Sequence, residues 1–212
     1  MDTEAVFEAL LGTRAMRRLK PDPVPDELVR RILTAGTAAP SGGNRQNWGF
    51  IVVKDPAIKR AVQRYYQQAF DEVVGPHYAA SEPPPGVSRA QYDRQHRAVA
   101  YLTRHFHEAP VWIVACLDTG EARPNRGSGA SIYPAVQNML LAARAQGLGA
   151  TLTTRHLLHG EAVDAHFGLP SGVHSYAIVP IGYPIGKFGE TARAPLGEVV
   201  HLDQWGQRGA FE

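Results

Sequence analysis

The fold of this 212-residue chain is decided by residues 39–48, APSGGNRQNW, which are followed at 50–53 by the apolar segment FIVV. Two adjacent glycines let a backbone approach a ligand closely. Ser41 and Asn44 supply hydrogen-bond donors and acceptors, and Trp48 offers a flat face. A loop of this composition between a helix and a buried strand suits a flat polar ligand, although an ordinary turn can have the same composition.

The overall composition indicates a globular protein whose charge favours no particular class of partner. Hydrophobic residues make up 44% of the chain, which is enough for a substantial core. The net charge of +2, from 22 basic and 20 acidic residues, does not favour binding to nucleic acid or to an acidic membrane. The acidic start of the chain is unlike a signal peptide, and no apolar run approaches the ~18 residues that a membrane helix needs. We therefore expect a cytoplasmic protein that binds neither nucleic acid nor membrane.

Strand and helix patterns alternate along the chain and predict an α+β fold. Helices are predicted at about 56–74, 91–107 and 160–167, and Ser131 is predicted to cap a helix that is apolar nearly all round. The predicted strands are 50–53, 111–117, 151–154 and 175–181.

We expect residues 1–212 to form one domain with two accessory segments. A proline-rich stretch opens an excursion or lid at about 75–107. The C-terminal residues 198–212 form an arm that carries Trp205 and Phe211. Such an arm packs either on a partner subunit or back on its own chain, and the sequence leaves both alternatives open.

Several apparent motifs do not qualify as sites. Residues 127–132 begin like a dinucleotide-binding fingerprint but end in Ile132 instead of glycine, and residues 182–187 resemble a P-loop that is one residue short. Cys116 lies in an apolar run and is interpreted as a buried structural thiol. Neither the pair His105 and His107 nor the pair His156 and His159 is interpreted as a metal site, so no metal is expected. Four histidines are expected at the surface or at a pocket rim: His105, His107, His156 and His159.

Four segments in order resemble the FMN-dependent nitroreductase family over most of the chain. Residues 13–25, TRAMRRLKPDPVP, resemble the Arg-Arg-Ser-x-Arg-x-Phe start of the family, and residues 39–48 resemble its Ala-Pro-Ser-x-x-Asn-x-Gln-x-Trp loop. Residues 131–149 resemble its central dimer helix, and residues 180–184 followed by 193–196 resemble its C-terminal signature. The resemblance implies a homodimer in which each chain is a three-layer α/β/α sandwich around a mainly antiparallel sheet.

The resemblance also implies which residues bind the phosphate of FMN. Arg14 and Arg17 hold the phosphate and the ribityl chain, with Ala15 between them and Arg193 closing on the phosphate. Planar guanidinium groups suit a phosphate dianion. Thr13 and Ala15 stand where the family has arginine and serine, so FMN binding is expected to be weaker, and Arg18 is the expected compensation.

The flavin ring is implied to lie between two other segments. Leu152, Thr153 and Thr154 pass one face of the ring, where a backbone N–H near Thr154 or Arg155 meets N5. Pro40, Ser41, Gly42 and Asn44 are implied to line the ring, in part from the second subunit, and Gln46 is implied to reach the ring or the ribityl chain.

The activity implied by the resemblance is a ping-pong oxidoreduction. NADH or NADPH gives a hydride to N5 of FMN, and a nitroaromatic, quinone or enone then takes the electrons. Two alternatives stay open: a flavin-destroying or dehalogenating relative with the same fold, and a flavin-binding or flavin-sequestering protein without turnover.

Overall fold

A four-stranded antiparallel sheet lies at the centre of the chain, and its strand order is β1-β2-β4-β3. A computed structural model describes residues 2–84, 86–122, 124–191 and 193–208, with Arg126 described by its backbone alone. The strands are β1 (Trp48–Val53), β2 (Val111–Asp118), β3 (Gly149–Ala150) and β4 (Val173–Gly182). The predicted α+β fold is confirmed.

Eight α-helices are described around this sheet. They are α1 (Thr3–Gly12), α2 (Asp26–Thr37), α3 (Pro56–Ala69), α4 (Gly75–Ala80), α5 (Arg89–His105), α6 (Arg126–Ala145), α7 (Gly160–His166) and α8 (Leu196–Val199). None of the helices in the described ranges is both long enough and apolar enough to span a bilayer.

Strand β2 is buried on both faces, because its alternate side chains enter two different cores. Val111, Ile113, Ala115 and Leu117 pack with α2 and α6. Trp112, Val114 and Cys116 pack with α3, α5 and α7. The sheet therefore carries helices on both faces, which gives the three layers that the family resemblance implies.

Helix α6 begins five residues before the predicted N-cap Ser131, so this boundary was wrong. Its N-cap is Asn125, whose Oδ1 accepts hydrogen bonds from the N–H groups of Gly127 at 2.8 Å and Ser128 at 3.2 Å. Ser128 Oγ accepts from the Asn125 N–H at 3.2 Å, which completes a capping box. The first turns of α6 carry no apolar pattern, so hydrophobic periodicity gave no signal for them.

The predicted helix at 56–74 changes its hydrogen-bond pattern after Ala69. Residues Phe70–Val74 form a π-helical turn, in which the Gly75 N–H donates to the Phe70 carbonyl. A Cβ at Gly75 would lie 3.0 Å from that carbonyl oxygen, so this close turn favours glycine. The turn places Phe70 and Val74 beside the candidate site described below.

The segment at 151–154 differs from prediction, whereas the C-terminal arm at 198–212 stays a prediction. The strand predicted at 151–154 is reduced to β3 and to a single bridge between Thr153 and Ile178. In the C-terminal segment the structure describes α8 and a bridge between His201 and Arg208, with Trp205 90% exposed. Phe211, the other aromatic residue of the predicted arm, lies outside the described residues.

Candidate functional site

Two neighbouring arginines and a third that is distant in the sequence meet in one cavity, which we call the arginine cavity. Arg14 and Arg17 approach it from the segment after α1, and Arg193 from the segment before α8. The cavity has a volume of ≈ 460 Å³. Its lining residues are Arg14, Ala15, Arg17, Tyr78, Gln91, Tyr92, Gln95, His96, Val99, Glu190, Thr191 and Arg193.

The arginine cavity is positively charged. Glu190 is the one acidic side chain among the described residues that line it, so three arginines and one glutamate give a net charge of +2. Burial lowers the pKa of the Arg17 guanidinium, with a smaller contribution from the charge of Arg14. The ring of His96 stacks on that of Tyr78, with centroids 4.2 Å apart. This arrangement suits an anion with two negative charges.

A second cavity of ≈ 540 Å³ adjoins the first, and we call it the Tyr66 cavity. Arg17, Tyr78 and Val99 line both cavities. The other residues that line the Tyr66 cavity are Tyr66, Val74, Leu102, Thr151, Leu152, Thr153, Thr154, Arg155, Leu157 and Leu158. The predicted residues Leu152, Thr153 and Thr154 are therefore next to the predicted arginines.

One wall of the Tyr66 cavity is fixed to the sheet. Thr153 exchanges two backbone hydrogen bonds of 3.0 Å with Ile178 of β4. Tyr66 Oη lies 2.9 Å from Thr153 Oγ1, so helix α3 holds the same residue from the other side. The backbone N–H groups of Thr154 and Arg155 donate to no residue that the structure describes. This wall therefore offers rigid, unused donors to a bound molecule.

The side chain of Arg155 enters the same cavity, where the groups in contact with its guanidinium are uncharged. Its guanidinium carbon lies 4.2 Å from the centroid of the Tyr66 ring and 5.2 Å from that of Phe70. Arg155 Nη1 donates to Thr103 Oγ1 at 2.5 Å. Burial lowers the pKa of Arg155, and the charge of Arg17 adds to this effect.

The loop at 39–48 lies away from both cavities. Pro40, Ser41, Asn44 and Gln46 line neither the arginine cavity nor the Tyr66 cavity. Gly42 lines a separate cavity of ≈ 690 Å³, and its N–H donates to Ser131 Oγ of α6 at 3.1 Å. Within a single chain, the structure does not bring this loop to the other predicted residues.

The loop is nevertheless well organised by its own hydrogen bonds. Ser41 Oγ accepts from the Gln46 N–H at 3.0 Å, and Gln46 Nε2 donates to the Asn44 carbonyl at 3.1 Å. Asn44 and Gln46 both have positive φ, at 54° and 52°. Left-handed backbone at two non-glycine residues costs free energy, which marks the loop as a shape that the fold maintains.

Thr13, which departs from the family pattern, and Arg18, the expected compensation, make other contacts here. Thr13 Oγ1 donates to the Ala9 carbonyl at 2.5 Å and so satisfies the end of α1. The Arg18 guanidinium lies 4.9 Å from the centroid of the Tyr101 ring and does not line the arginine cavity. Arg18 therefore lies outside the cavity in which the compensation was expected.

The histidine and cysteine interpretations have mixed outcomes. His156 is fully buried, which corrects its predicted place at the surface or a pocket rim. Cys116 is buried as predicted, and burial raises the pKa of its thiol to about 12. Among the described residues, no group of three or more histidine, cysteine or acidic side chains has the geometry of a metal site.

Sequence reasoning missed the side chains that form the far walls of the two cavities. Tyr66 and Leu102 line the Tyr66 cavity, and Gln95 and His96 line the arginine cavity. Tyr66, Gln95 and His96 lie on long helices, where an inward-facing side chain has the same pattern as a core residue. The pairing of α3 and α5 with the segment at 151–155 follows from tertiary structure alone.

Comparison with known proteins gives concordant matches. A model of the Nitroreductase family matches residues 10–183. A Thermus thermophilus protein named NADH dehydrogenase is 36% identical over 197 residues, covering 91% of this chain and 93% of that protein. Iodotyrosine deiodinase 1 of Rattus norvegicus is 26% identical over 190 residues, covering 87% of this chain and 64% of that protein. A solved structure of oxidized iodotyrosine deiodinase bound to FMN and 3-iodo-L-tyrosine matches with a TM-score of 0.71 and 22% identity, covering 95% of this chain and 99% of that one.

Proposed function

Because the chain belongs to the nitroreductase family, we propose that it is an FMN-dependent oxidoreductase that couples NADH or NADPH to a small organic acceptor. When bound, FMN supplies an N5 atom that accepts a hydride and a ring that passes two electrons onward. The observation that carries the proposal is the meeting of Arg14, Arg17 and Arg193 in one cavity that adjoins the Tyr66 cavity.

The arginine cavity fits the phosphate end of FMN. A phosphate monoester carries nearly two negative charges at neutral pH, and the cavity offers a net charge of +2. Arg14, Arg17 and Arg193 bind the phosphate in this proposal, with Ala15 lining the cavity between the first two. Arg17 also reaches the Tyr66 cavity, so it is the residue that spans from the phosphate toward the ring.

The Tyr66 cavity fits the ring end. Leu152, Thr153 and Thr154 line it, and the unused N–H groups of Thr154 and Arg155 supply the donors that a ring nitrogen requires. The two hydrogen bonds to Ile178 keep this wall in place, so its donors are oriented before any ligand binds. These residues bind and orient the cofactor while they exclude water from one face.

A second copy of the chain completes the site in this proposal. The loop residues Pro40, Ser41, Gly42, Asn44 and Gln46 line neither cavity of their own chain, which supports a role at the partner's flavin. An apolar groove of ≈ 510 Å³ between α1, α2 and α6 offers the surface for such a dimer. Leu10 of α1 lines this groove and is 45% exposed in the single chain.

Residues 75–107 act as a lid in this proposal, within a single domain that spans residues 1–212. Tyr78 of α4 and Val99 of α5 line both cavities, so this segment covers the junction between phosphate and ring. Movement of α4 and α5 would open both cavities together.

Spectroscopy of the purified protein tests the function. We expect yellow protein with a flavin spectrum that bleaches under anaerobic conditions when NADH or NADPH is added. Reoxidation by a panel of nitroaromatics, quinones and enones then identifies the class of acceptor. A colourless protein that neither retains nor binds added FMN contradicts the proposal. A yellow protein that neither nicotinamide reduces supports the flavin-sequestering alternative.

Reductive deiodination is a second candidate, favoured by the match to iodotyrosine deiodinase 1. Its test is iodide release from 3-iodo-L-tyrosine by FMN-loaded protein reduced chemically in the absence of oxygen. No iodide release, together with rapid turnover of a nitroaromatic or quinone, excludes it. Loss of the flavin spectrum in air would instead support the flavin-destroying alternative.

A further inference from the structure

Arg155 carries a positive charge that no protein group neutralises. Among the residues that the structure describes, no carboxylate lies within ion-pairing distance of its guanidinium, and Arg155 and Arg17 are the charged side chains that line the Tyr66 cavity. A half-buried cation without a counter-ion lowers stability unless a ligand supplies the charge. Such a group in a cavity marks a binding function.

The surroundings of Arg155 orient the guanidinium without neutralising it. The faces of Tyr66 and Phe70 lie against it, and Thr103 Oγ1 accepts from Nη1. The hydroxyl of Thr103 donates to the Val99 carbonyl at 2.9 Å, so its oxygen is held with a lone pair toward Arg155. Nε and Nη2 of Arg155 donate to no described residue and are not sealed from solvent. They remain available to a ligand in the cavity.

The charge of oxidised FMN does not account for Arg155. The phosphate dianion is matched by the net charge of +2 in the arginine cavity. The oxidised flavin ring is uncharged, so it brings no counter-ion to the Tyr66 cavity. One positive charge therefore remains for another molecule.

The other residues that line the Tyr66 cavity indicate which kind of molecule would fit there. Its walls include Val74, Leu102 and Leu157, together with the ring of Tyr78, so a flat apolar body fits between them. No acidic side chain lines the cavity among the described residues, so the ammonium group of a free amino acid would find no partner there.

We propose that Arg155 is the specificity-determining residue for the electron acceptor, and that this acceptor is a flat aromatic carboxylate. The carboxylate pairs with the free N–H groups of Arg155, and the aromatic body lies among the apolar side chains of the Tyr66 cavity. This proposal rests on the proposed function, because it assigns the second substrate of the same site.

Calorimetry on the oxidised, FMN-loaded protein without a reductant tests binding separately from turnover. The probes are 4-nitrobenzoate and its uncharged analogue 4-nitrobenzamide. Wild-type protein should bind the acid at least roughly tenfold more tightly than the amide. Arg155→Met should weaken binding of the acid by at least about tenfold and change binding of the amide by less than about twofold. Arg155→Lys keeps the charge and should retain part of the preference for the acid.

Other outcomes overturn the assignment. Equal losses for the acid and the amide show that Arg155 only supports the shape of the cavity. An altered flavin reduction potential with unchanged binding of the acid shows that Arg155 acts on the cofactor. If Arg155→Met does not fold, Arg155→Gln retains a donor for Thr103 while it removes the charge, and the same comparison applies.

The FMN content of each sample separates this test from the proposed function. Protein that binds no FMN contradicts the proposed function whatever the calorimetry shows. FMN-loaded wild-type protein that binds acid and amide equally contradicts the role of Arg155 and leaves the proposed function standing.

Discussion

His156 Nε2 lies 3.1 Å from Ser175 Oγ in the interior of the protein. His156 directly follows Arg155, which lines the Tyr66 cavity. The Ser175 hydroxyl donates to Asp164 Oδ1, which links the turn after Arg155 to α7 and β4. His156 Nδ1 is buried and has no hydrogen-bond partner among the described residues. Burial lowers the pKa of the imidazole from 6.5 to about 4, so His156 is neutral at pH 7.

Stability should therefore fall as the pH is lowered from about 6.5 to about 4. In this interval the unfolded chain protonates His156 while the folded chain does not, so the unfolded state binds more protons. Above pH 6.5 both states are neutral and the contribution of this group is constant. The shift corresponds to about 3 kcal/mol of unfolding free energy. Urea denaturation at a series of pH values measures it.

The matched control is His156→Gln, which does not titrate. Burial raises the pKa of Asp164, so this carboxyl group changes stability with pH in the opposite direction. Because Asp164 is present in both proteins, its contribution cancels in their difference. The difference between wild type and variant should therefore change by about 3 kcal/mol between pH 7 and pH 4. A difference that stays constant with pH contradicts the buried neutral imidazole.

Replacement of Arg14 by alanine tests the phosphate role. The variant loses a charge-assisted hydrogen bond worth ~1.5–3 kcal/mol, so FMN should bind roughly tenfold to a hundredfold more weakly. Fluorescence titration of apoprotein with FMN gives the affinity. Arg18→Ala is the control, because its guanidinium lies over Tyr101 outside the arginine cavity. If the two substitutions change the affinity for FMN equally, Arg14 does not bind the phosphate.

Much of the fold follows from local sequence patterns. The continuous apolar run at 111–117 indicates a strand buried on both faces, and β2 is such a strand. Asp55 followed by Pro56 indicates a helix start, and Asp55 caps α3 by accepting from Ala57 at 2.6 Å. The start of α6 was missed because its first residues are small and polar.

The site was only partly predictable, because the sequence places residues along the chain but not across the fold. Arg14, Arg17 and Arg193 were found through the family pattern, and the structure brings them together. The position of the Arg155 side chain in the Tyr66 cavity was not predicted, because it depends on a π turn at Phe70 and on the packing of Thr103. Neither contact has a signature in local sequence.

Cys116 should be unreactive in the folded protein. It is 1% exposed, and burial raises the pKa of its thiol to about 12, with a smaller contribution from the charge of Asp164. At pH 8 the thiolate fraction is on the order of 10⁻⁴, so a disulfide reagent should not label the native chain. Mass spectrometry should detect one label per chain only after unfolding. Rapid labelling of native protein would show that the strand β2 opens.

A charged side chain placed in the apolar groove beside α1 should disrupt the proposed dimer. Leu10 lines the groove and is 45% exposed, whereas Glu4 on the same helix does not line it. If the groove is the dimer surface, Leu10→Lys buries an unpaired ammonium and should convert the dimer to monomer. Sedimentation measures the mass.

Glu4→Lys provides the matched control, because it adds a lysine to the same helix away from the groove. This variant should remain dimeric and retain FMN. Since the loop at 39–48 lies away from the cavities of its own chain, the Leu10→Lys monomer should also bind FMN more weakly. A Leu10→Lys protein that stays dimeric places the interface elsewhere. A monomer with unchanged FMN affinity shows instead that one chain forms the complete site.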